Sequence, residues 1–425
     1  MRVLVFEPQH VGHNLNYVKL LMTRLAELPC EIHLVTSKEA TESTEYADHL
    51  GPLEGIFQCH ALSGFMHRPG GGGLCVNGPY ANFAIARGLF NGLQKVQPDH
   101  TFITFGNPLS HLTGIPSPLT YQLRRPGVES EIVLLFGKYA YRHRGLRNQL
   151  KQQLALAVLA RGPWKRIHHI VPHAVATMKS FGNGLAAKAC LLPDPVELAP
   201  IMSREASRQI LNVPKAGRYI ALVGLVDRRK GAIELLKAFS KALPRLNVDD
   251  RLLLAGKASE EVRQSLHGEY ASLIQNGRVI SIDRHLTTEE LWASCKAANL
   301  IATPYPTHRY SASIVIRAAA SGVPVLANSI GWMHDVIHRF SLGTTCDTNS
   351  LDCFANCLAQ SLVSSHEYTM TNQAKKFVQF HEASNFTAHL VMGLAKRMGV
   401  TAFPELIEWD SDMQSPSEAD QARVA

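Results

Sequence analysis

Acidic side chains are absent from Ile132 to Pro193, although ten lysines and arginines occur in the same stretch. A solvated surface normally interleaves both signs of charge, so this stretch favours an anionic or lipid-linked acceptor. Within it, residues 141–166 combine a predicted apolar helix near 145–160 with flanking cations and a tryptophan. Two interpretations stay open: a peripheral contact with an anionic membrane surface, or a helix whose apolar face covers a sheet.

Other features that define protein classes are also missing. No run reaches about 18 apolar residues, so we predict no membrane-spanning helix. The opening MRVLVFEP shows no secretory pattern. We therefore expect a cytoplasmic protein, and a peripheral position at the inner membrane face is the alternative that goes with a membrane contact of residues 141–166. RNP, KH, zinc-finger and helix-turn-helix signatures do not occur, so nucleic acid is not an expected partner. The formal charge of +8 still favours another anionic partner.

The eight cysteines form no CxxC pair and no Cys/His cluster at zinc spacing, which favours a reducing compartment. Cys353 and Cys357 lie one helical turn apart, and we interpret them as ordinary buried thiols. No metal and no tightly bound cofactor is expected from this pattern.

Apolar runs typical of strands alternate with helical patterns along most of the chain. RVLVF, EIHLVT, HTFITF, EIVLLF and IHHIV precede the proline-rich LLPDPVELAP, and YIALVG, RLLLAG, VISID, LIATP and TTCD follow it. Such alternation predicts stacked βαβ units, so the fold class is α/β with two Rossmann-like parallel-sheet domains. The predicted domains are 1–195 and 215–385, the latter with a single helix near 259–276. A terminal helix is predicted over 386–405 and a disordered tail over 409–425.

The first predicted strand runs into a glycine turn, EPQHVGHNLNYV, at the end of the strand where sheets of this class bind ligands. Gly12 permits close approach of the backbone, and the helix beginning near Asn14 offers unpaired N–H groups. Gly12 and His13 are therefore candidate ligand contacts. A purely structural turn is an equal alternative, because a full GxGxxG motif is missing.

The stretch VGLVDRRKG, residues 223–231, again joins a strand end to a helix start. Arg228, Arg229 and Lys230 bring three cations next to the first amides of a helix that follows Gly231. Side-chain charge combined with backbone donors suits a diphosphate. The alternative is a solvated basic turn.

The stretch HRYSASIVIRAAASGVPVLANS, residues 308–329, contains a cation inside an otherwise uncharged helical segment. Burying an unpaired guanidinium costs several kcal/mol, so Arg317 requires a partner, either an anionic ligand or an internal carboxylate. Ser313 and Ile314 begin this segment, where backbone amides are accessible to a phosphate, and Arg309 adds a nearby cation. We take these four residues as candidate phosphate contacts.

Taken in order, VGLVDRRKG, RLLLAGK, VISIDRHLTTEELWASCKAANLIATPYP and IVIRAAASGVPVLANSIGWMHDVI resemble the C-terminal half of the retaining group 1 glycosyltransferases. The resemblance extends from 223 to 337 and implies the GT-B fold, with two domains facing across a cleft. It also implies a UDP- or GDP-linked sugar as co-substrate, held mainly by the second domain, with no metal and with retention of configuration. The segment near 386–403 is similar to the family's terminal helix, which crosses back to the first domain.

Two departures from the family pattern bear on donor binding. Leu225 stands where a basic residue usually follows the glycine, and Arg309 and Arg317 stand where the family carries two glutamates. An arginine only donates hydrogen bonds, so a contact with ribose hydroxyls cannot be kept unchanged. Three alternatives follow: the arginines hold the diphosphate, the donor carries an extra anionic group, or donor binding has been lost.

The family often shows a histidine just after the strand written here as EIVLLF, where this chain has Gly137 and Lys138. His143 and His173 are the nearest candidates for a catalytic role, although a lone histidine is more often structural. The resemblance implies a glycosyltransferase that moves a sugar from a nucleotide-sugar to a glycan or lipid-linked acceptor. The alternatives are a catalytically inactive binding or scaffold protein and a nucleotide-sugar epimerase.

Overall fold

The computed structural model describes residues 1–12, 14–68, 72–76, 78–136, 145–400 and 405–409. The chain divides into two compact units. The first contains the described residues of 1–193 together with those of 383–409, and the second contains Asp194–Glu382.

The first unit is built on a seven-stranded sheet in which every pairing is parallel. Its strands in chain order are β1 (Arg2–Phe6), β2 (Glu31–Ser37), β3 (Gln58–Leu62), β6 (His100–Ile103), β7 (Glu129–Leu134), β8 (Arg166–His169) and β9 (Ala189–Leu191), and a separate antiparallel pair is formed by β4 (His67–Arg68) and β5 (Gly72–Leu74). The order across the sheet is β3-β2-β1-β6-β7-β8-β9. β1 is buried from its second residue onward, as expected of a parallel sheet covered on both faces.

Helices connect these strands. They are α1 (Asn14–Leu25), α2 (Lys38–Thr41), α3 (Thr44–His49), α4 (Pro79–Val96), α5 (Pro118–Leu123), α6 (Leu146–Ala160) and α7 (Pro172–Phe181), with a 3-10 turn at Gly51–Leu53. α4 and α7 each begin with a proline in the first turn, where the missing N–H would have had no partner within the helix.

The second unit contains a six-stranded sheet, again entirely parallel. Its strands are β10 (Tyr219–Val223), β11 (Arg251–Ala255), β12 (Val279–Ile282), β13 (Leu300–Thr303), β14 (Val325–Asn328) and β15 (Gly343–Cys346), in the order β12-β11-β10-β13-β14-β15. Its helices are α8 (Arg204–Ile210), α9 (Ala232–Ala242), α10 (Glu260–His267), α11 (Ala271–Gln275), α12 (Thr288–Ala297), α13 (Ser313–Ala320), α14 (Gly331–Arg339), α15 (Leu351–Ser364) and α16 (Asn372–Phe380), with 3-10 turns at Arg228–Lys230 and Leu243–Arg245.

The last helix, α17 (Ala383–Arg397), packs within the first unit. The rings of Tyr17 and Phe386 lie 5.2 Å apart, which joins α17 to α1. The guanidinium of Arg397 donates to the carbonyls of Asp99, at 3.2 Å, and Gly127, at 2.7 Å. These contacts fix both ends of the helix on the first unit. Residues 410–425 of the predicted tail lie outside the described residues.

The prediction of two Rossmann-like parallel-sheet domains is confirmed, and one local prediction is wrong. The single helix expected near 259–276 is two helices, α10 and α11. α10 ends at His267, and Gly268 adopts a non-helical conformation with φ −101° and ψ −99°. Glycine loses more backbone entropy than other residues in a helix, so the chain turns there.

Each sheet has one point where the direction of strand addition reverses. In the first unit this point lies between β1 and β6, and in the second between β10 and β13. The connections leave neighbouring strands in opposite directions there, which opens a crevice at the carboxyl ends of the strands. Both crevices are therefore the places where open parallel sheets bind ligands.

Candidate functional site

Lys230 lies at the reversal point of the second sheet. It follows β10 in the 3-10 turn Arg228–Lys230, which Asp227 caps by accepting a hydrogen bond from the backbone N–H of Lys230 at 2.9 Å. The side-chain amine donates to the carbonyl of Val223 at 3.0 Å and lies 5.8 Å from the ring centre of Tyr305, which follows β13. The two strands that flank the crevice thus hold one ammonium group between them.

The electrostatics of Lys230 favour an anionic ligand. Burial, assisted by the nearby charge of Arg229, lowers the pKa of the Lys230 amine to about 8. At neutral pH the amine is still mostly charged, but its environment does not fully replace the water it has lost. A bound anion would restore that missing stabilisation.

Two glycines make this close packing feasible. Gly231 has φ +74°, and a Cβ built on it would lie 2.7 Å from the carbonyl oxygen of Pro304. Gly224 has φ +94°, and its Cβ would lie 2.5 Å from the Lys230 amine. A larger residue at position 231 would clash with the backbone of Pro304, and one at position 224 would displace the Lys230 amine; both positions also have a positive φ, which favours glycine.

Replacing Gly224 by alanine should therefore destabilise the second unit. The positive φ costs about 1–2 kcal/mol for a residue with a side chain. Displacing the Lys230 amine from the Val223 carbonyl should add roughly 1 kcal/mol. Gly277→Ala is the matched control, because Gly277 has φ +71° but open space around its Cβ position. In denaturant unfolding we expect Gly224→Ala to lose more free energy than Gly277→Ala, and equal losses would contradict the proposed packing.

The loop after β13 completes the crevice and contains a histidine that the sequence analysis did not select. The ring of His308 lies between those of Tyr305 and Tyr310, at centroid distances of 5.6 and 5.9 Å. Burial lowers the pKa of His308, and Arg229 and Lys230 lower it further. The side-chain amide of Asn328 donates to the carbonyls of Tyr305 and Pro306, which holds the loop against β14. The only sequence signal for His308 was its position next to Arg309.

The other two cations of the basic turn have carboxylate partners. Arg228 pairs with Glu261 at 2.9 Å, and Arg229 lies 3.6 Å from Asp227. Both arginines are exposed, so these pairs contribute little to stability. Leu225, which stands where the family has a basic residue, is exposed as well. Lys230 therefore differs from its two neighbours in the turn: its amine contacts Val223 and Tyr305, whereas both arginines are exposed and lie next to carboxylates.

The predicted residues of α13 lie in the same unit. The guanidinium of Arg317 lies over the indole of Trp292, 5.2 Å from the ring centre. Trp292 is positioned by α12, which begins with a capping box between Thr287 and Glu290. Burial raises the pKa of the Cys295 thiol to about 12, and Arg317 and Lys230 both oppose that rise. The positive charges of Arg317 and Lys230 are thus both close enough to influence the buried thiol of Cys295 in α12.

The remaining predicted residues near α13 are placed as follows. Ser313 is the first residue of the helix and Ile314 the second, with Ile314 buried. The carbonyl of Arg309 accepts a hydrogen bond from the N–H of Trp332 at 3.1 Å, so the backbone of Arg309 contacts the start of α14. Ala312, the residue before α13, provides no side-chain cap for the first turn of the helix.

The reversal point of the first sheet holds a buried carboxyl group, Glu7. One of its oxygens accepts from the N–H of Gln9 at 2.9 Å, and the other contacts the hydroxyl of Thr104 at 2.9 Å. Glu7 follows β1 and Thr104 follows β6, the two strands at the reversal. Burial raises the pKa of Glu7 to about 8, against the effect of both hydrogen bonds. At neutral pH this side chain is therefore mostly protonated.

The rest of the first glycine turn follows Glu7 in the chain. Gly12 has φ +86° and lies at the exposed tip of the turn, and His13 lies outside the described residues. The side-chain oxygen of Gln9 accepts from the N–H of Leu74 at 3.1 Å. The rings of His10 and His67 lie 5.8 Å apart. Gly12 marks this turn in the sequence, whereas Glu7 carries no sequence signal, because its protonation follows only from its burial.

Of the two catalytic candidates, His143 and His173, the structure describes only His173. His143 lies in 137–144, outside the part of the chain that the structure describes. His173 is in the first turn of α7, partly buried, and its carbonyl accepts from the hydroxyl of Thr177 at 2.8 Å. His169, the last residue of β8, is fully buried, and burial lowers its pKa to about 3, so it stays neutral. The catalytic role predicted for His173 stays a prediction.

α6 presents apolar residues on two faces. Gln152, Leu156 and Leu159 are buried, whereas Leu146, Leu150 and Leu154 are 80%, 70% and 66% exposed. The exposed leucines are four residues apart and form one stripe, which we call the α6 leucine stripe. Arg147 and Lys151 flank it and are exposed. In the part of the chain that the structure describes, no helix has the length and apolar character needed to cross a bilayer.

Residues 203–377 match the family model described as Glycosyl transferases group 1. The second unit is a group 1 glycosyltransferase domain. The match includes every strand of the second sheet, the turn that carries Lys230 and the helix that carries Arg317. The family prediction made from the sequence motifs is confirmed for this part of the chain.

Curated relatives of this chain are distant in sequence. D-inositol 3-phosphate glycosyltransferase of Corynebacterium urealyticum is 24% identical over 196 residues, which cover 42% of this chain and 46% of that protein. The enzyme of the same description from Corynebacterium diphtheriae is 27% identical over 187 residues, covering 43% of this chain and 42% of that protein. The matches thus span less than half the length of these relatives.

Solved structures similar to this chain extend the likeness beyond the group 1 domain. HepE of Anabaena, in complex with UDP, has a TM-score of 0.65 at 12% identity and covers 93% of this chain and 100% of its own. Sucrose-phosphate synthase from Thermosynechococcus elongatus has a TM-score of 0.64 at 16% identity and covers 94% and 100%. At such identities the likeness establishes the fold, and the predicted GT-B fold is confirmed.

Proposed function

We propose that this protein is a glycosyltransferase that takes a sugar from a UDP- or GDP-linked donor. The observation that carries the proposal is the position of Lys230, a cation with a lowered pKa at the reversal point of the group 1 domain. The solved structures of HepE with UDP and with UDP-glucose support a nucleotide-sugar as the ligand of this fold. Retention of configuration is part of the proposal through the family resemblance alone.

In this proposal the ammonium of Lys230 contacts the diphosphate of the donor. As the sugar leaves, negative charge grows on the nucleoside diphosphate, and a fixed cation in a partly dry crevice stabilises that charge more than the ground state. The first amides of α13, beginning at Ser313, add backbone donors, and His308 lies close enough to Lys230 and Arg229 to interact with their charges. Arg309 and Arg317 would supply positive charge in place of the missing basic residue at Leu225.

The proposed acceptor is anionic or lipid-linked, and the first unit would bind it. The named acceptor of the corynebacterial relatives, D-inositol 3-phosphate, carries a phosphate group, which supports an anionic acceptor. The stretch without acidic residues, Ile132–Pro193, lies in the first unit and carries the α6 leucine stripe. An apolar stripe flanked by cations suits an anionic membrane surface.

The direct test is a panel of UDP- and GDP-sugars in which hydrolysis and transfer are measured for the wild type and for Lys230→Ala. We expect turnover with at least one donor and a loss of turnover in the variant. Equal turnover in both proteins would remove the role assigned to Lys230. Isomerised donor without hydrolysis would instead identify an epimerase.

A second candidate function is a binding or scaffold protein of the same fold without catalysis. It is favoured by the arginines at 309 and 317, where the family has glutamates. It is also favoured by the position of the Arg317 guanidinium over the Trp292 ring, because this contact gives the arginine a structural role within the protein. This candidate predicts that UDP or GDP binds while no donor in the panel is consumed.

The pH dependence of nucleotide binding follows from the lowered pKa of Lys230. The amine is charged below about pH 8 and neutral above it, and only the charged form attracts a diphosphate. We expect the dissociation constant for UDP to rise above pH 8, by up to about tenfold per pH unit. Calorimetric titration between pH 6.5 and 9.5 measures this, and Lys230→Met should show a flat profile over the same range. A flat profile in the wild type would contradict the role of the amine.

Membrane contact through the α6 leucine stripe gives a separate prediction. Leu150→Glu places a carboxylate in the middle of the stripe and should weaken binding to anionic vesicles by roughly 10- to 100-fold, from the lost apolar burial and the added repulsion. Leu198→Glu is the control, because Leu198 is 76% exposed and lies in the second unit. Vesicle co-sedimentation checks both variants, and equal binding by Leu150→Glu and the wild type would exclude the stripe as the contact.

A further inference from the structure

The second unit brings together three cysteines that are separated in the sequence. Cys346 ends β15, and Cys353 and Cys357 lie on one face of α15, in its first and second turns. The three Sγ atoms all lie within 4.8 Å of one another. The sequence analysis interpreted Cys353 and Cys357 as ordinary buried thiols. That interpretation is corrected here, because both are only partly buried and converge on a third thiol.

Rigid elements hold this cluster in place. Cys346 pairs in register with Asn328 on β14, and its carbonyl accepts from the N–H of Ser329 at 2.9 Å. Ser350 caps α15, and its hydroxyl accepts from the N–H of Cys353 at 3.4 Å. Ligand groups on a strand end and a capped helix need little rearrangement to bind an ion, so the ordering cost of binding is small.

All three potential ligand atoms of the cluster are cysteine sulfurs. Thiolates select soft or thiophilic cations such as Zn²⁺ and Cu⁺ over Mg²⁺ and Ca²⁺, which require oxygen ligands. The sulfur atoms of a tetrahedral zinc site lie about 3.8 Å apart, given a Zn–S bond of about 2.3 Å. Since all three Sγ atoms lie within 4.8 Å of one another, they need to approach by at most about 1 Å to reach that value, a change that cysteine rotamers can supply.

A thiol binds a metal ion in its deprotonated form, so each of the three cysteines must lose its proton when the ion binds.

We infer that Cys346, Cys353 and Cys357 form a binding site for one thiophilic metal ion of the Zn²⁺ class. Binding breaks three S–H bonds, releases three protons to solvent and forms three S–metal bonds, with no change of oxidation state. Three thiolates and one divalent ion carry a net charge of −1, and a water molecule takes the fourth position. Cys353 and Cys357 are partly exposed, which gives solvent access to that position.

A disulfide is the competing use of these residues. It would join two sulfurs and leave the third thiol outside the bond, whereas a metal ion engages all three. The convergence of three sulfurs from two elements therefore favours the ion. The site does not depend on the proposed glycosyl transfer, and its test requires no donor or acceptor.

The test uses the reduced, metal-free full-length chain titrated with Cd²⁺, whose thiolate complexes give a sulfur-to-metal charge-transfer absorption. We expect one equivalent to bind with the intensity of three thiolates. Cys353→Ser and Cys357→Ser should each lower that intensity by about a third and weaken Zn²⁺ binding at least about tenfold. Cys59→Ser is the control, because Cys59 is exposed and lies in the first unit, and it should bind as the wild type does.

A second readout is the thermal unfolding temperature, which Zn²⁺ should raise in the wild type and in Cys59→Ser but not in Cys353→Ser. Cys353 and Cys357 are partly exposed, so their serine variants should stay folded even if a serine at the buried Cys346 does not. The inference is overturned if no charge-transfer absorption develops, or if it survives unchanged in both helix variants. It is also overturned if mild oxidation removes two titratable thiols and Cd²⁺ does not bind the reduced protein.

Discussion

Lys230→Met should abolish most of the nucleotide affinity of this protein while leaving the fold intact. The substitution removes a charge-assisted hydrogen bond to the diphosphate, worth about 1.5–3 kcal/mol, so the dissociation constant for UDP or GDP should rise roughly 10- to 100-fold. Methionine is unbranched like lysine and only one heavy atom shorter, so it should keep the packing beside the Tyr305 ring. The free energy of unfolding should change little, because losing the hydrogen bond to Val223 is offset by removing a charge that the folded protein buries at a cost, as its lowered pKa records.

Arg228→Met is the matched control for this experiment. Arg228 lies two residues away in the same basic turn, is 71% exposed at its side chain and pairs with Glu261. If a general positive field attracts the nucleotide, both variants should weaken binding to a similar degree. If Lys230 contacts the diphosphate, Arg228→Met should change the affinity by less than about threefold, in line with the small value of exposed ion pairs. Calorimetric titration with UDP and GDP separates the two outcomes.

Glu7→Gln should change how the stability of the protein depends on pH. In the folded protein the pKa of Glu7 is about 8, well above the ordinary value of 4.5, so the folded state binds more protons than the unfolded state between these values. The stabilising contribution of protonated Glu7 is fully present below pH 4.5 and is lost as the pH rises toward 8. The slope of this loss is at most about 1.4 kcal/mol per pH unit.

Glutamine reproduces the shape of the protonated carboxyl group but does not ionise. We therefore expect Glu7→Gln to remove this part of the pH dependence and to be more stable than the wild type at pH 8. Denaturant unfolding at several pH values from 5 to 8.5 measures the effect. Glu42→Gln is the control, because Glu42 is 64% exposed, and it should follow the wild-type curve. Parallel curves for Glu7→Gln and the wild type would mean that Glu7 is ionised in the folded state.

The sequence predicted the two sheets because their strands are short apolar runs separated by amphipathic helical patterns, as in RVLVF and YIALVG. It also predicted the turn that carries Lys230, since a basic run between a strand end and a glycine is a local signal. It could not separate Lys230 from Arg228 and Arg229. That distinction depends on contacts of the Lys230 amine with the Val223 carbonyl and with Tyr305. Tyr305 follows β13, which pairs with β10 although the paired residues, Ile220 and Leu300, are 80 positions apart in the chain.

Other features depend on contacts that are remote in the sequence. Glu7 is protonated because β1 and β6 are neighbours and because its surroundings exclude water, and neither fact is visible in EPQHVG. Cys346 joins Cys353 and Cys357 only when β15 and α15 pack together, so the spacing of the cysteines along the chain resembled that of isolated thiols. The two faces of α6 were also ambiguous from the sequence: one is buried as a covering face, and the other is the exposed leucine stripe.

The most direct test of the account is a crystal structure of the protein soaked with UDP or GDP. The account predicts that the diphosphate lies in the crevice between β10 and β13, with a phosphate oxygen about 2.8 Å from the Lys230 amine. A nucleotide bound elsewhere, or a diphosphate that the Lys230 amine does not reach, would contradict it.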